Sequence, residues 1–276
     1  SAVAATLFGG VGVSGDALGD TFIDIQNLTG SSQGDTLVGD ANVNSLDGGD
    51  GNDTLDGREG GDALIGGGGE DTATYAGSTS AVTVSLATGT GLGGFAQGDT
   101  LTGIERLTGS NHADTLTGDA LDNQLSGGGE NDTLDGGAGA DVLDGGSGTD
   151  TATYQASLSG VVVNLTSGSG SGGDAQGDSL TAIENLIGSN SNDTLTGSDG
   201  VNVLQGMVGD DTLIGSAGGD TLDGGTGNDR VDYRSSDAGI TIDLANNANN
   251  AGGHALGDTL SAIEEVYGST FADTLS

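Results

Sequence analysis

Single apolar residues recur along this chain every nine positions. Leu37, Leu46, Leu55, Leu64 and Ala73 form one series, Leu107, Leu116, Leu125, Leu134, Leu143 and Ala152 a second, and Leu186 through Val231 a third. Their neighbours are mostly polar, so each reads as a three-residue strand whose middle side chain points inward while its neighbours point outward. Strands this short are not stable alone. Stacking must hold them, which predicts an all-β, solenoid-like fold. Between the series the nine-residue phase fails, as from Ala73 to Leu107. There Val82, Val84 and Leu86 alternate with polar residues, as do Val161, Val163 and Leu165, and Ile240, Ile242 and Leu244, predicting a half-buried strand followed by a Gly/Ser/Thr loop.

Series and gap together make a longer unit. Asp71-Thr-Ala-Thr-Tyr75 recurs from Asp150 to Tyr154 and, more loosely, from Asp229 to Tyr233. Asp20, Asp99, Asp178 and Asp258, each after a glycine, keep the same interval, with one extra residue in the last step. Residues 1–29 are then a partial first unit, 30–75, 109–154 and 188–233 are nonapeptide blocks, 76–108, 155–187 and 234–267 are expanded-coil spacers, and 268–276 begin a fourth block. Because the stretch from Ala73 to Leu107 is nearly as long as two coils of two nonapeptides each, the simplest reading is one continuous solenoid with locally expanded coils.

Composition makes that fold conditional. Against 41 acidic residues stand four arginines and no lysine, a net charge of −37, with 58 glycines and only 33% hydrophobic residues. Such a chain lies near the disordered class unless something neutralises its carboxylates. Nucleic acid and anionic membrane are excluded as partners, since both require basic patches. No stretch approaches the length of a membrane span, so no membrane insertion is expected. Without cysteine there is no disulfide or thiolate zinc site, and without lysine no Walker-type phosphate loop. His112 and His254 lie far apart in the sequence, neither in an H-E-x-x-H setting, so the chain reads as non-enzymatic. A metal cation is the partner that fits.

The local motif says which one. Two residues before most of the periodic apolar positions sits an acid, preceded by a glycine-rich run, giving the template G-G-x-G-x-D-x-U-x with U apolar. Complete G-G-x-G-x-D copies end at Asp53, Asp71, Asp141, Asp150 and Asp229. The glycines let a six-residue turn fold tightly with carbonyl oxygens on its rim, and the aspartate adds a carboxylate. Hard oxygen ligands in irregular geometry select calcium over magnesium or zinc.

In these residues the chain resembles the RTX, or haemolysin-type, calcium-binding repeat family. The resemblance implies a right-handed parallel β-roll in which two nonapeptides make one coil and calcium lies between turns stacked one coil apart. It implies one metal-binding edge at Asp35, Asp53 and Asp71, with Asp114, Asp132 and Asp150, and Asp193, Asp211 and Asp229, as its counterparts. The opposite edge pairs Asn44 with Asp62, Asn123 with Asp141, and Asn202 with Asp220, the asparagines departing from the motif; Asp273 opens the next block. Asp20, Asp99, Asp178 and Asp258 sit in degenerate copies and are further candidates. Glu130, Met207 and the Arg58-Glu59 pair interrupt glycine positions before Asp132, Asp211 and Asp62. Three ions per block give about nine Ca2+ in three blocks.

Family context further implies a bacterial protein exported by type I secretion and folding on calcium outside the cell, as a structural scaffold, matrix or filament element. The alternative it offers is an accessory module of a larger secreted protease, lipase or alginate epimerase, or of an RTX toxin or adhesin. Both ends of the sequence fall within a coil, so head-to-tail self-association or continuation of the array is expected. Outward Thr36, Thr54 and Thr72 read as ordinary exposed strand residues, Tyr75, Tyr154 and Tyr233 as covers over the core, and both histidines as solvated.

Overall fold

The computed structural model describes all 276 residues. It contains short strands and a few single-turn 3-10 segments, and no helix long and apolar enough to cross a membrane. The chain forms two compact units, residues 1–134 with 144–148, and residues 135–143 with 149–276.

In the first unit two sheets face each other, each lending one file of apolar side chains to the core. One sheet runs in the order Val11–Ser14, Ala4–Thr6, Thr36–Val38, Thr54–Asp56, Thr72–Thr74, Arg106–Thr108, Gln124–Gly129. Its parallel register aligns Ala5, Leu37, Leu55, Ala73, Leu107 and Leu125. In the other, Asn27–Thr29, Ser45–Asp50, Ala63–Gly68 and Thr100–Thr102 align Leu28, Leu46, Leu64 and Leu101. The second unit repeats the scheme, with Leu195, Leu213, Val231 and Val266 in one sheet and Ala152, Leu186, Leu204, Leu222 and Leu260 in the other. The U residues from Leu46 to Ala73 are fully buried, and each buried leucine contributes about 2 kcal/mol. This is the stacked all-β fold expected from the nine-residue period, in the parallel β-roll form that the family resemblance implies.

Ala73 and Leu107 are direct partners in neighbouring strands, so the chain between them makes a single expanded coil. What differs from expectation is its internal course. The extra length goes into an antiparallel insertion. Thr90–Leu92 pairs antiparallel with Thr83–Ser85 and with Thr100–Thr102, while Thr83–Ser85 continues parallel to Thr115–Thr117. Val162–Asn164, Ser169–Ser171 and Ser179–Thr181 repeat the arrangement in the second unit. In the predicted alternating strands Val82 and Val84 are buried, but Leu86 is only half-buried and Leu244 is 39% exposed, because the chain leaves the sheet there to start the hairpin.

Within the first unit, Thr36–Val38 and Thr115–Thr117 hold equivalent places in successive long repeats yet lie in opposite sheets. Successive insertions therefore fall on alternate sheets. Ala4–Thr6 with Val11–Ser14 widens one, and Thr83–Ser85 with Thr90–Leu92 widens the other.

Candidate metal-binding turns

The turn from Gly48 to Asp53 shows why the motif needs its glycines. Gly49 and Gly51 take φ of +100° and +121°, where a Cβ is disfavoured. The departures noted in the sequence leave this backbone in place. Arg58 and Met207, at the position of Gly49, take φ of +68° and +78°, and Glu130, at that of Gly51, takes +65°. Each costs about 1–2 kcal/mol, so packing of neighbouring coils enforces the turn against local preference.

The stacked edges follow the predicted one-coil spacing. The Asp35 N–H donates to Asp53 Oδ1 (2.6 Å) and the Asp53 N–H to Asp71 Oδ1 (2.7 Å). The Asp114 N–H reaches Asp132 Oδ1, the Asp193 N–H Asp211 Oδ1, and the Asp211 N–H Asp229 Oδ1, at 2.7–2.8 Å. Opposite Asp35, Asp53 and Asp71 the Asn44 N–H donates to Asp62 Oδ1, and opposite Asp193 and Asp211 the Asn202 N–H donates to Asp220 Oδ1. Asp114 and Asp132 do not share the edge of Asp35 as expected: within the first unit they precede strands of the same sheet as Asn44 and Asp62, because the sheets exchange roles between successive repeats. One carboxylate oxygen per aspartate thus anchors the preceding coil.

The other oxygen meets one of three fates. In Asp53, Asp62, Asp71, Asp211, Asp220 and Asp229, Oδ2 is buried and accepts no hydrogen bond. In Asp35, Asp114 and Asp193, Oδ2 accepts the N–H of Ser31, Ser110 or Ser189 from the same turn, and the serine hydroxyl donates to Oδ1. In Asp99, Asp178 and Asp258, Oδ2 accepts a buried tyrosine hydroxyl, from Tyr75 (3.1 Å), Tyr154 (2.9 Å) and Tyr233 (2.7 Å). The asparagines are likewise provided for. Asn44 Oδ1 accepts the Asp40 N–H, Asn123 Oδ1 the Asp119 N–H and Asn202 Oδ1 the Ser198 N–H.

Around the unpaired oxygens the first glycine of the turn leaves a hollow. A Cβ on Gly48 would lie 2.2 Å from Asp53 Oδ2 and 2.7 Å from the carbonyl oxygen of Gly66. On Gly206 it would lie 2.3 Å from Asp211 Oδ2 and 2.7 Å from the carbonyl oxygen of Gly224. A carboxylate and a carbonyl from the next coil therefore converge on space that any other residue would fill. Nowhere do three acidic or imidazole side chains come together. A cation held here must take most of its ligands from the backbone, which suits a hard ion tolerant of irregular oxygen shells.

Burial sets the electrostatics. Desolvation pushes Asp62 and Asp220 up to about 7 and Asp211 up to about 6, opposed by the N–H on Oδ1 and reinforced by the nearby acids Asp99, Asp258, and Asp193 with Asp229, respectively. Asp53, Asp71 and Asp229 are raised for the same leading reason. The arginines are engaged elsewhere. Arg58 stacks 3.8 Å over the Phe8 ring, Arg106 pairs with Glu70, Arg230 with Glu265, and Arg234 with Asp232.

Some candidates fall outside the ladders. Asp20 is exposed, and Asp273 is half-buried with its Oδ1 bonded to the Ser269 hydroxyl and the Ile240 N–H. His112 and His254 are half-buried rather than solvated. Gly30-Ser31-Ser32-Gln33-Gly34 spells the letters of a hydrolase G-x-S-x-G elbow, but it joins two β-strands, not the strand and helix that elbow requires.

Other ladder members were missed in the sequence. Glu105, Glu184 and Glu264 accept the N–H of Asp71, Asp150 and Asp229, closing the first edge at each expanded coil. The signal was present, since each stands two residues before an apolar strand centre, Leu107, Leu186 or Val266.

Paired sheets, glycine turns and buried carboxylates in register define a parallel β-roll with oxygen-lined turns. The chain carries RTX calcium-binding nonapeptide repeats: the family model, spanning four copies, matches residues 29–63, 38–73, 117–152, 181–210 and 196–231. These matches skip residues 83–92 and 162–171, where the antiparallel insertions lie. No curated protein matches the chain.

Proposed function

We propose that this is a non-catalytic, secreted β-roll that folds when calcium fills its glycine turns and then serves as an extracellular structural or scaffold element. The buried, unpaired Oδ2 atoms of Asp53, Asp62, Asp71, Asp211, Asp220 and Asp229 carry this reading. Six carboxylate oxygens removed from water with no donor are a large penalty unless a cation meets them. Asp132, Asp141 and Asp150 are the middle block's counterparts of Asp53, Asp62 and Asp71. Together with turn carbonyls these residues would hold about nine calcium ions, three per block. When bound, calcium supplies the positive charge that lets the coils close; the chain's own part is to present oxygens at the turns and a leucine file between the sheets.

Nine divalent ions offset about half of the −37 charge, leaving an acidic surface that stays soluble and repels anionic partners. In a cytosol poor in calcium the same charge keeps the chain open, and millimolar calcium outside the cell closes it. Small-angle scattering and circular dichroism in chelator, calcium and magnesium test the reading. The expected result is an expanded chain in chelator, cooperative compaction in calcium and a poor response to magnesium. A chain already compact in chelator and indifferent to calcium would overturn it.

A further inference from the structure

We propose that Tyr75, Tyr154 and Tyr233 take the place of a cation, so that the aspartates they touch, Asp99, Asp178 and Asp258, hold no calcium. The proposal rests on the calcium reading of the stacked turns.

By offset alone these three aspartates match the ligands, although their turns are degenerate copies of the motif. Each stands two residues before an apolar strand centre, Leu101, Leu180 or Leu260, as Asp53 stands before Leu55. In the structure they continue the second edge: the Asp62 N–H donates to Asp99 Oδ1 (2.8 Å), the Asp141 N–H to Asp178 Oδ1 (3.0 Å) and the Asp220 N–H to Asp258 Oδ1 (2.9 Å). They are as buried as the others, at 1–3% exposure. What differs is the second oxygen. Asp62 Oδ2 and Asp220 Oδ2 lack a donor, whereas one position further along the edge Oδ2 accepts a phenol that is itself at most 2% exposed.

Each tyrosine enters by the same route. It ends the strand segment that begins at Asp71, Asp150 or Asp229, and its N–H donates to the carbonyl of Thr108, Ile187 or Tyr267 in the next strand of its sheet. The strand thereby brings the tyrosine to the second edge, at the place that Gly39 holds before Asn44, and its hydroxyl reaches the aspartate there. A hydroxyl donor satisfies a carboxylate oxygen without adding charge and without needing a ligand shell. The expanded coil can therefore close its edge with protein groups alone, where the shorter coils leave an oxygen for a cation. The phenol is a positioning group that decides which aspartates bind metal.

Calcium stoichiometry of the full chain, by equilibrium dialysis with metal analysis and by calorimetry, tests this with three variants. Asp178→Asn keeps the acceptor for the Asp141 N–H and removes the charge; its calcium count is expected to equal the parent's. Tyr154→Phe bares Asp178 Oδ2 and is expected to bind one further ion. Asp211→Asn, at an unpaired oxygen, is expected to lose at least one ion. Loss of an ion in Asp178→Asn, or an unchanged count in Tyr154→Phe, overturns the tyrosine proposal. An unchanged count in Asp211→Asn strikes instead at the calcium reading of the turns, so the two failures are told apart.

Discussion

Replacing Asp53 by Asn separates two accounts of the buried carboxylates, because they predict opposite signs. The amide keeps an acceptor oxygen for the Asp35 N–H, which lies 2.6 Å from Oδ1, so the ladder bond survives. Only the charge is lost. If no cation met Oδ2, the parent would bury a carboxylate that is 1% exposed and raised by desolvation, and the amide would fold at least as well. With calcium on Oδ2, the substitution removes one member of a buried ion pair, a change worth about 3–5 kcal/mol. At about 1.4 kcal/mol per tenfold, the local site should weaken between about a hundredfold and a few thousandfold. Asn44→Ala is the control. Asn44 Oδ1 accepts the Asp40 N–H within its own turn, so truncation should cost about the value of one hydrogen bond, ~1 kcal/mol, and no ion. Calcium titration by calorimetry, with circular dichroism for the folding midpoint, reads both variants. An Asp53→Asn protein with the parent's stoichiometry and an equal or lower midpoint would refute the reasoning, as would two variants that behave alike.

Gly48→Ala should abolish binding at the same turn while leaving every carboxylate in place, because Gly48 lies outside the left-handed region and its Cβ would come within 2.2 Å of Asp53 Oδ2; an alanine variant with unchanged calcium stoichiometry would show that the hollow is not used. Acid should stabilise the metal-free fold. Asp62 and Asp220 are held at about 7 and Asp211 at about 6, so that fold binds protons that the unfolded chain, with ordinary carboxylates, releases. Its burial penalty is complete above pH 7 and is relieved as pH falls toward about 4. Scattering and circular dichroism in chelator at pH 7.5, 6.5 and 5.5 should show a chain that grows more compact as pH falls, and a chelated chain equally expanded at all three contradicts it.

The register of the sheets was legible from single residues. A leucine every nine positions, flanked by polar neighbours, admits few stacked partners, and Leu37, Leu55 and Ala73 align as their even spacing requires. The spacing of the acids was legible for the same reason, since each stands at a fixed offset from its apolar neighbour. The course of the chain inside the expanded coil was not. Nothing local distinguishes a second parallel strand at Thr90–Leu92 from an antiparallel one, because one expanded coil and two ordinary ones are nearly equal in length. The division of the acids into bare and satisfied was also hidden. It depends on Ser31 bonding Asp35 within its own turn, and on Tyr75 reaching Asp99 across 24 residues, a contact that exists only once the coil has closed.

The ladder also bears on cooperativity. Within residues 30–75 each aspartate of the first edge from Asp53 on does two things at once: Oδ1 holds the N–H of the preceding coil and Oδ2 faces the hollow of its own turn. An ion that fixes the Asp53 carboxylate therefore also fixes the amide of Asp35, and one that fixes Asp71 fixes the amide of Asp53. Occupancy of one turn lowers the ordering entropy left for the next, as in other arrays where each repeat contacts only its neighbours. The run has two boundaries. At its start both oxygens of Asp35 accept protein donors, and at its end Glu105 takes the Asp71 N–H in place of an aspartate. Coupling passed along the Asp53 and Asp71 carboxylates runs between those two boundaries, so the block, rather than the single site, is the unit expected to fold on calcium.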